Sequence, residues 1–122
     1  MEDIPTQIKR LLREQQTRAY EEELRRALLP LAAAFDEWRA GNMNSFDLGD
    51  VIHEFHQETS RDLYERYNYG DLRYNVAYAI VTGVLVRDQV PLEVLSHISN
   101  VIEFYEQQEA DSADDEQSDD EE

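Results

Sequence analysis

The chain has 122 residues, no cysteine and a formal charge of −17. Its length fits one small domain with one modest core. The missing cysteines exclude a disulfide framework and a thiolate metal site. No run of about 18 apolar residues exists, so no membrane span is expected. The start, Met1-Glu2-Asp3-Ile4-Pro5, lacks the basic and apolar regions of a secretory signal, and the expected location is cytoplasmic. The charge is uneven. Residues 109–122 hold nine acids and no base, residues 41–108 hold eleven acids against four bases, and residues 1–40 are nearly balanced. A body this negative repels phosphate backbones, so nucleic acid is not an expected partner.

Residues 3–40 read as one long helix or two joined ones. Asp3 can cap the first turn and Pro5 suits its start. Leu24, Leu28, Leu31, Phe35 and Trp38 recur at intervals of 4, 3, 4 and 3, a stripe made for packing. Pro30 lies inside that stripe and predicts a kink or a break near residues 26–30. Gly41-Asn42 is a stop signal.

A second helix is expected over residues 45–68, capped by Asn44 or Ser45, with Asp47 favouring the positive end of its dipole. At about 100° per residue, Leu48, Val51, Ile52, Phe55, Leu63 and Tyr67 spread over much of the girth. Such a helix needs cover on more than one side, from its own chain or another. Asp71 can cap a third helix over residues 72–86. The β-branched run 79–86 makes a buried strand the competing assignment, but a lone strand has no partner here. Pro91 opens a fourth helix to about residue 108, with the stripe Leu95, Ile98, Ile102 and Tyr105. Residues 109–122 have nothing to bury and repel themselves, so they read as disordered. The expected fold is all-α: a small bundle of four to five helices over residues 1–108, with a disordered acidic C-terminal tail over residues 109–122.

Two residue sets invite a function. Asp50, His53 and His56 lie at three-residue intervals, a spacing at which helical bundles present carboxylate and histidine ligands to metals. Asp50, however, falls in the polar arc of its helix. Arg61, Tyr64, Arg66, Tyr67, Tyr69, Arg73, Tyr74 and Tyr78 cluster around the turn at Gly70. Tyrosine and arginine are the side chains that anchor protein interfaces. Catalytic chemistry is not expected. Ser60 follows His56 by one helical turn but has no orienting acid, and the four glycines are too scattered to cradle a phosphate.

The leading expectation is therefore a small, acidic, non-catalytic interaction or regulatory module, without cofactor. In its specific version it is an inhibitor- or antitoxin-like partner of a basic protein. Binding of another protein is expected and a homodimer is compatible with it. The alternative is a helical-bundle metalloprotein built on Asp50, His53 and His56.

Overall fold

A computed structural model describes the backbone of residues 4–119 and the side chains of residues 4–113. All regular structure among these residues is helical. The elements are α1 (Thr6–Arg39), α2 (Ser45–Glu54), a π-helical turn (Phe55–Ser60), α3 (Arg61–Tyr69), α4 (Leu72–Val81), a 3₁₀ turn (Arg87–Gln89), α5 (Leu92–His97) and α6 (Ser99–Asp119). Because α2, the π turn and α3 follow one another without a break, the described residues form five helical rods. Among them, no helix is long and apolar enough to cross a membrane.

Helix α1 is one element. Its first bond runs from the Lys9 N–H to the Pro5 carbonyl at 2.9 Å; the expected cap at Asp3 lies outside the described residues. Pro30 is exposed inside the helix and does not end it. Gly41 does, with φ at +86°. The Asn42 N–H reaches back to the Glu37 carbonyl at 2.9 Å and the Gly41 N–H to that of Trp38 at 3.1 Å, so the last carbonyls are satisfied in a Schellman turn.

The other boundaries follow from equally local chemistry. The Asn44 side chain accepts the Asp47 N–H at 2.7 Å, and that of Asp71 accepts the N–H groups of Arg73 and Tyr74. Helix α4 stops at Val81, short of the expected residue 86. There the Thr82 hydroxyl donates back to the Tyr78 carbonyl at 2.7 Å. Gly83, at φ +82°, then lets the chain fold over so that the Leu85 N–H bonds the Ala79 carbonyl. The β-branched run thus splits into helix and turn, and no strand forms among the described residues.

The helix expected from Pro91 to residue 108 is two helices. Ile98, with φ −110° and ψ 19°, leaves the helical region between α5 and α6. It is fully buried, and its carbonyl accepts from both Val101 and Ile102 at 3.0 Å, so burial of its side chain is combined with a satisfied backbone. Val94, rather than Leu95, is the completely buried residue of α5. Helix α6 continues past residue 108 into the acidic stretch as far as Asp119. Every side chain from Glu106 to Ala113 is exposed, so this stretch adds nothing to the core.

The chain resolves into two compact units. The terminal unit comprises Met1–Gln16 and Asp71–Glu122, and the middle unit Thr17–Gly70; the division falls inside α1 and at Gly70. In the terminal unit, Leu12, Val76, Val94 and Ile98 are fully buried, with Ile80, Leu85, Val90 and Ile102 close to it. Each side chain of this size contributes roughly 1.5–3 kcal/mol on burial. The middle unit buries only Leu48, Leu63 and Tyr67 among its larger side chains, besides Ala19 and Ala34.

The π turn corrects the phase assumed for residues 45–68. A π turn takes more residues than an α turn, so everything after it lags by about one residue, or roughly 100°. That lag returns Leu63 and Tyr67 to the face already occupied by Leu48. Uniform 100° steps spread these residues around the rod, whereas the real helix gathers them.

Candidate functional site

The tyrosine and arginine set divides between the units. Arg61, Tyr64, Arg66, Tyr67 and Tyr69 belong to the middle unit, and Arg73, Tyr74 and Tyr78 to the terminal one. Several of them have structural work. Tyr67 is buried and stacks on Tyr20, with ring centroids 4.8 Å apart and planes 8° from parallel. Its hydroxyl donates to Glu23 Oε2 at 2.7 Å, and Arg66 pairs with the same carboxylate at 3.1 Å. Burial, followed by the hydrogen bond and charge of Glu23, pushes the Tyr67 phenol well above its usual range. Tyr67 is therefore a core residue of the middle unit. Arg61 is tied to Glu65 at 3.1 Å.

Exposed members remain. Tyr64 and Tyr69 meet edge to face at 6.1 Å and both face solvent. In the terminal unit, Tyr74 and Tyr78 each contact the ring of Tyr105 edge-on, at 6.1 and 5.4 Å. Burial, then the neighbouring Tyr74 and Tyr78, raises the Tyr105 phenol above its ordinary value. Arg73 lies beside its own helix cap, with Nε 3.7 Å from Asp71.

Asp50, His53 and His56 are all exposed. Among the described residues, no group of three or more His, Cys, Asp or Glu is arranged to hold a metal ion. The three side chains point off the packed face because that face is taken by Leu48, Leu63 and Tyr67.

Sequence reasoning missed the feature that organises the middle unit. Its two arms are the second part of α1 and the α2–π–α3 rod. They are pinned at both ends. At one end are the Tyr20–Tyr67 stack and the Glu23–Arg66 pair. At the other, the Trp38 indole N–H donates to Ser45 Oγ at 2.9 Å. Between the pins lies an open groove of about 320 Å³. Ala27, Pro30 and Leu31 of α1 form one wall; Val51, Glu54, Phe55, Glu58 and Thr59 form the other. The π turn contributes Phe55, Glu58 and Thr59, and such turns recur at functional sites because they widen a helix locally.

The surface of the middle unit is rich in exposed apolar side chains. Of twelve exposed large apolar or aromatic side chains among the described residues, eight belong to the middle unit: Leu28, Leu29, Phe35, Trp38, Phe46, Ile52, Tyr64 and Tyr69. Phe46 is 86 % exposed and Leu29 55 %. Scattered single hydrophobes are ordinary on a protein surface. Here Leu28, Phe35 and Trp38 belong to the same helical stripe as groove-lining Leu31, and the Phe35 and Trp38 rings touch edge to face at 6.5 Å. The one signal in the sequence was this stripe, which carries more apolar residues than its own chain buries.

No protein-family model matches the sequence, and neither a curated protein nor a solved structure matches the chain.

Proposed function

We propose that the protein is a non-catalytic interaction module that docks another protein on its middle unit, at the groove between α1 and the α2–π–α3 rod. One observation carries this reading: the middle unit exposes more large apolar side chains than it buries, and it holds an open groove lined by Leu31, Val51 and Phe55. Interfaces of this type have an apolar centre with aromatic anchors and a polar rim. The rim here is acidic, which supports a regulatory or inhibitor-like role toward a basic partner.

Site-directed photo-crosslinking tests the reading. A benzophenone amino acid in place of Phe35, one helical turn beyond groove-lining Leu31, should trap one discrete protein in cells that make this chain. The same group in place of Asn100 on α6 should not. Equal trapping at both positions, or none at Phe35, refutes docking at the groove.

A further inference from the structure

The charge along the groove identifies the kind of segment it takes. No lysine or arginine occurs between Ala40 and Ser60, while Asp47, Asp50, Glu54 and Glu58 follow one another at intervals of 3, 4 and 4. On a helix that spacing makes one row, about a turn apart, beside Val51 and Phe55. Glu54 and Glu58 line the groove itself.

Elsewhere in the middle unit several acids meet local arginines, although Glu21, Glu37 and Asp62 make no ion pair among the described residues. Glu22 pairs with Arg25 and Arg26, Glu23 with Arg66, Asp36 with Arg39, and Glu65 with Arg61. The two arginines that bracket the row, Arg39 and Arg61, are thus engaged away from it. Asp47, Asp50, Glu54 and Glu58 make no ion pair among the described residues.

We infer that the groove receives an amphipathic helix of a basic partner. Its apolar face enters between Leu31 and the Val51–Phe55 wall, and its Lys or Arg side chains, one turn apart, meet Asp50, Glu54 and Glu58. This inference rests on the docking reading above and adds the partner's chemistry. A groove of this size takes the anchoring side chains of one helix rather than a broad folded surface. A second copy of the chain is disfavoured, since it would bring another acid row and a further charge of −17 to the same place.

Three synthetic helical peptides test it against the full chain, by calorimetry at low and moderate salt. The first carries a leucine stripe at i, i+4 and i+7 flanked by lysines. The second replaces the lysines with glutamates. The third has the first composition with the stripe scrambled. The lysine peptide should bind with an affinity that falls with salt, at least about tenfold more tightly than either control. The double variant Glu54→Gln/Glu58→Gln should weaken it by about tenfold with the thermal midpoint unchanged. Val51→Arg should abolish binding, and Asn100→Arg on α6, as control, should not.

Equal binding of the glutamate peptide overturns the basic-partner inference and leaves groove docking intact. Lysine-peptide binding that is indifferent to Val51→Arg overturns both. Failure of all three peptides overturns the inference, and the crosslinking result then decides the docking reading separately. Concentration-dependent dimerisation that Val51→Arg abolishes replaces the inferred helix with a second copy.

Discussion

Tyr67 gives its phenolic proton to Glu23 across the middle unit, at 2.7 Å, while its ring lies flat on that of Tyr20. This polar link joins the two arms of that unit at one end of the groove. A hydrogen bond to a charged group is worth about 1.5–3 kcal/mol when partly shielded from water. Tyr67→Phe and Glu23→Gln should each lower stability by about 1–2 kcal/mol in urea unfolding. The double variant should cost clearly less than the two added together. Additive losses would show that the bond contributes nothing of its own.

The same phenol sets an alkaline limit. Its folded-state pKa is raised above the unfolded value near 10, so the folded chain keeps a proton that the unfolded chain loses. The contribution is therefore complete below about pH 10 and declines as the pH rises above it. Unfolding midpoints of the wild-type chain should be flat across neutral pH and fall above pH 10, and Tyr67→Phe should fall less steeply. A parallel decline in both proteins would assign the alkaline loss to other groups.

Gly41 and Gly83 both adopt positive φ, and a methyl group added at either meets nothing within 4 Å. Replacement with alanine thus isolates backbone strain from packing. Gly41→Ala and Gly83→Ala should each cost about 1–2 kcal/mol, the penalty of a left-handed conformation for an L-residue. Serine at either position should cost about as much, whereas bulk-dependent losses would point to hidden crowding.

Pro30 is exposed within α1 and also lines the groove. Alanine in its place restores an N–H to the helix interior, and proline costs such a position up to about 3 kcal/mol. Pro30→Ala should raise the thermal midpoint and alter binding of the lysine-flanked peptide. A more stable chain with unchanged binding would mean that the proline does not shape the groove.

Zinc should leave the thermal midpoint where it is, because Asp50, His53 and His56 stand in solvent and, among the described residues, no further ligand is arranged beside them. A rise of several degrees at stoichiometric zinc, lost in His53→Ala/His56→Ala, would return the metalloprotein reading to first place.

The caps at Asn44 and Asp71 and the stop at Gly41 were legible in the sequence because their chemistry is local, whereas the end of α4 at Val81 was placed five residues too late. Asn44 and Asp71 cap with their own side chains, and Gly41 stops α1 through conformational freedom that only its immediate neighbours use. The break at Ile98 was not legible, because a buried isoleucine carries no mark of a non-helical backbone. Neither was the Glu23–Tyr67 link, whose partners lie far apart in the chain. Pro30 signalled a disruption that the continuous helix absorbs. The three-residue spacing of Asp50, His53 and His56 was legible, whereas their exposure depends on which face of the rod packs. The groove emerges only when two arms, each readable alone, are set against each other.

The π turn also carries one extra residue in this rod without turning the helix beyond it. Deleting a single residue between Phe55 and Ser60 would restore ordinary α-helical winding and leave Leu63 and Tyr67 on the face of Leu48. Tyr67 would stay against Tyr20, and what changes is the groove wall formed by Phe55, Glu58 and Thr59. Relatives of this chain that lack one position in that segment would keep the core of the middle unit and differ at the groove.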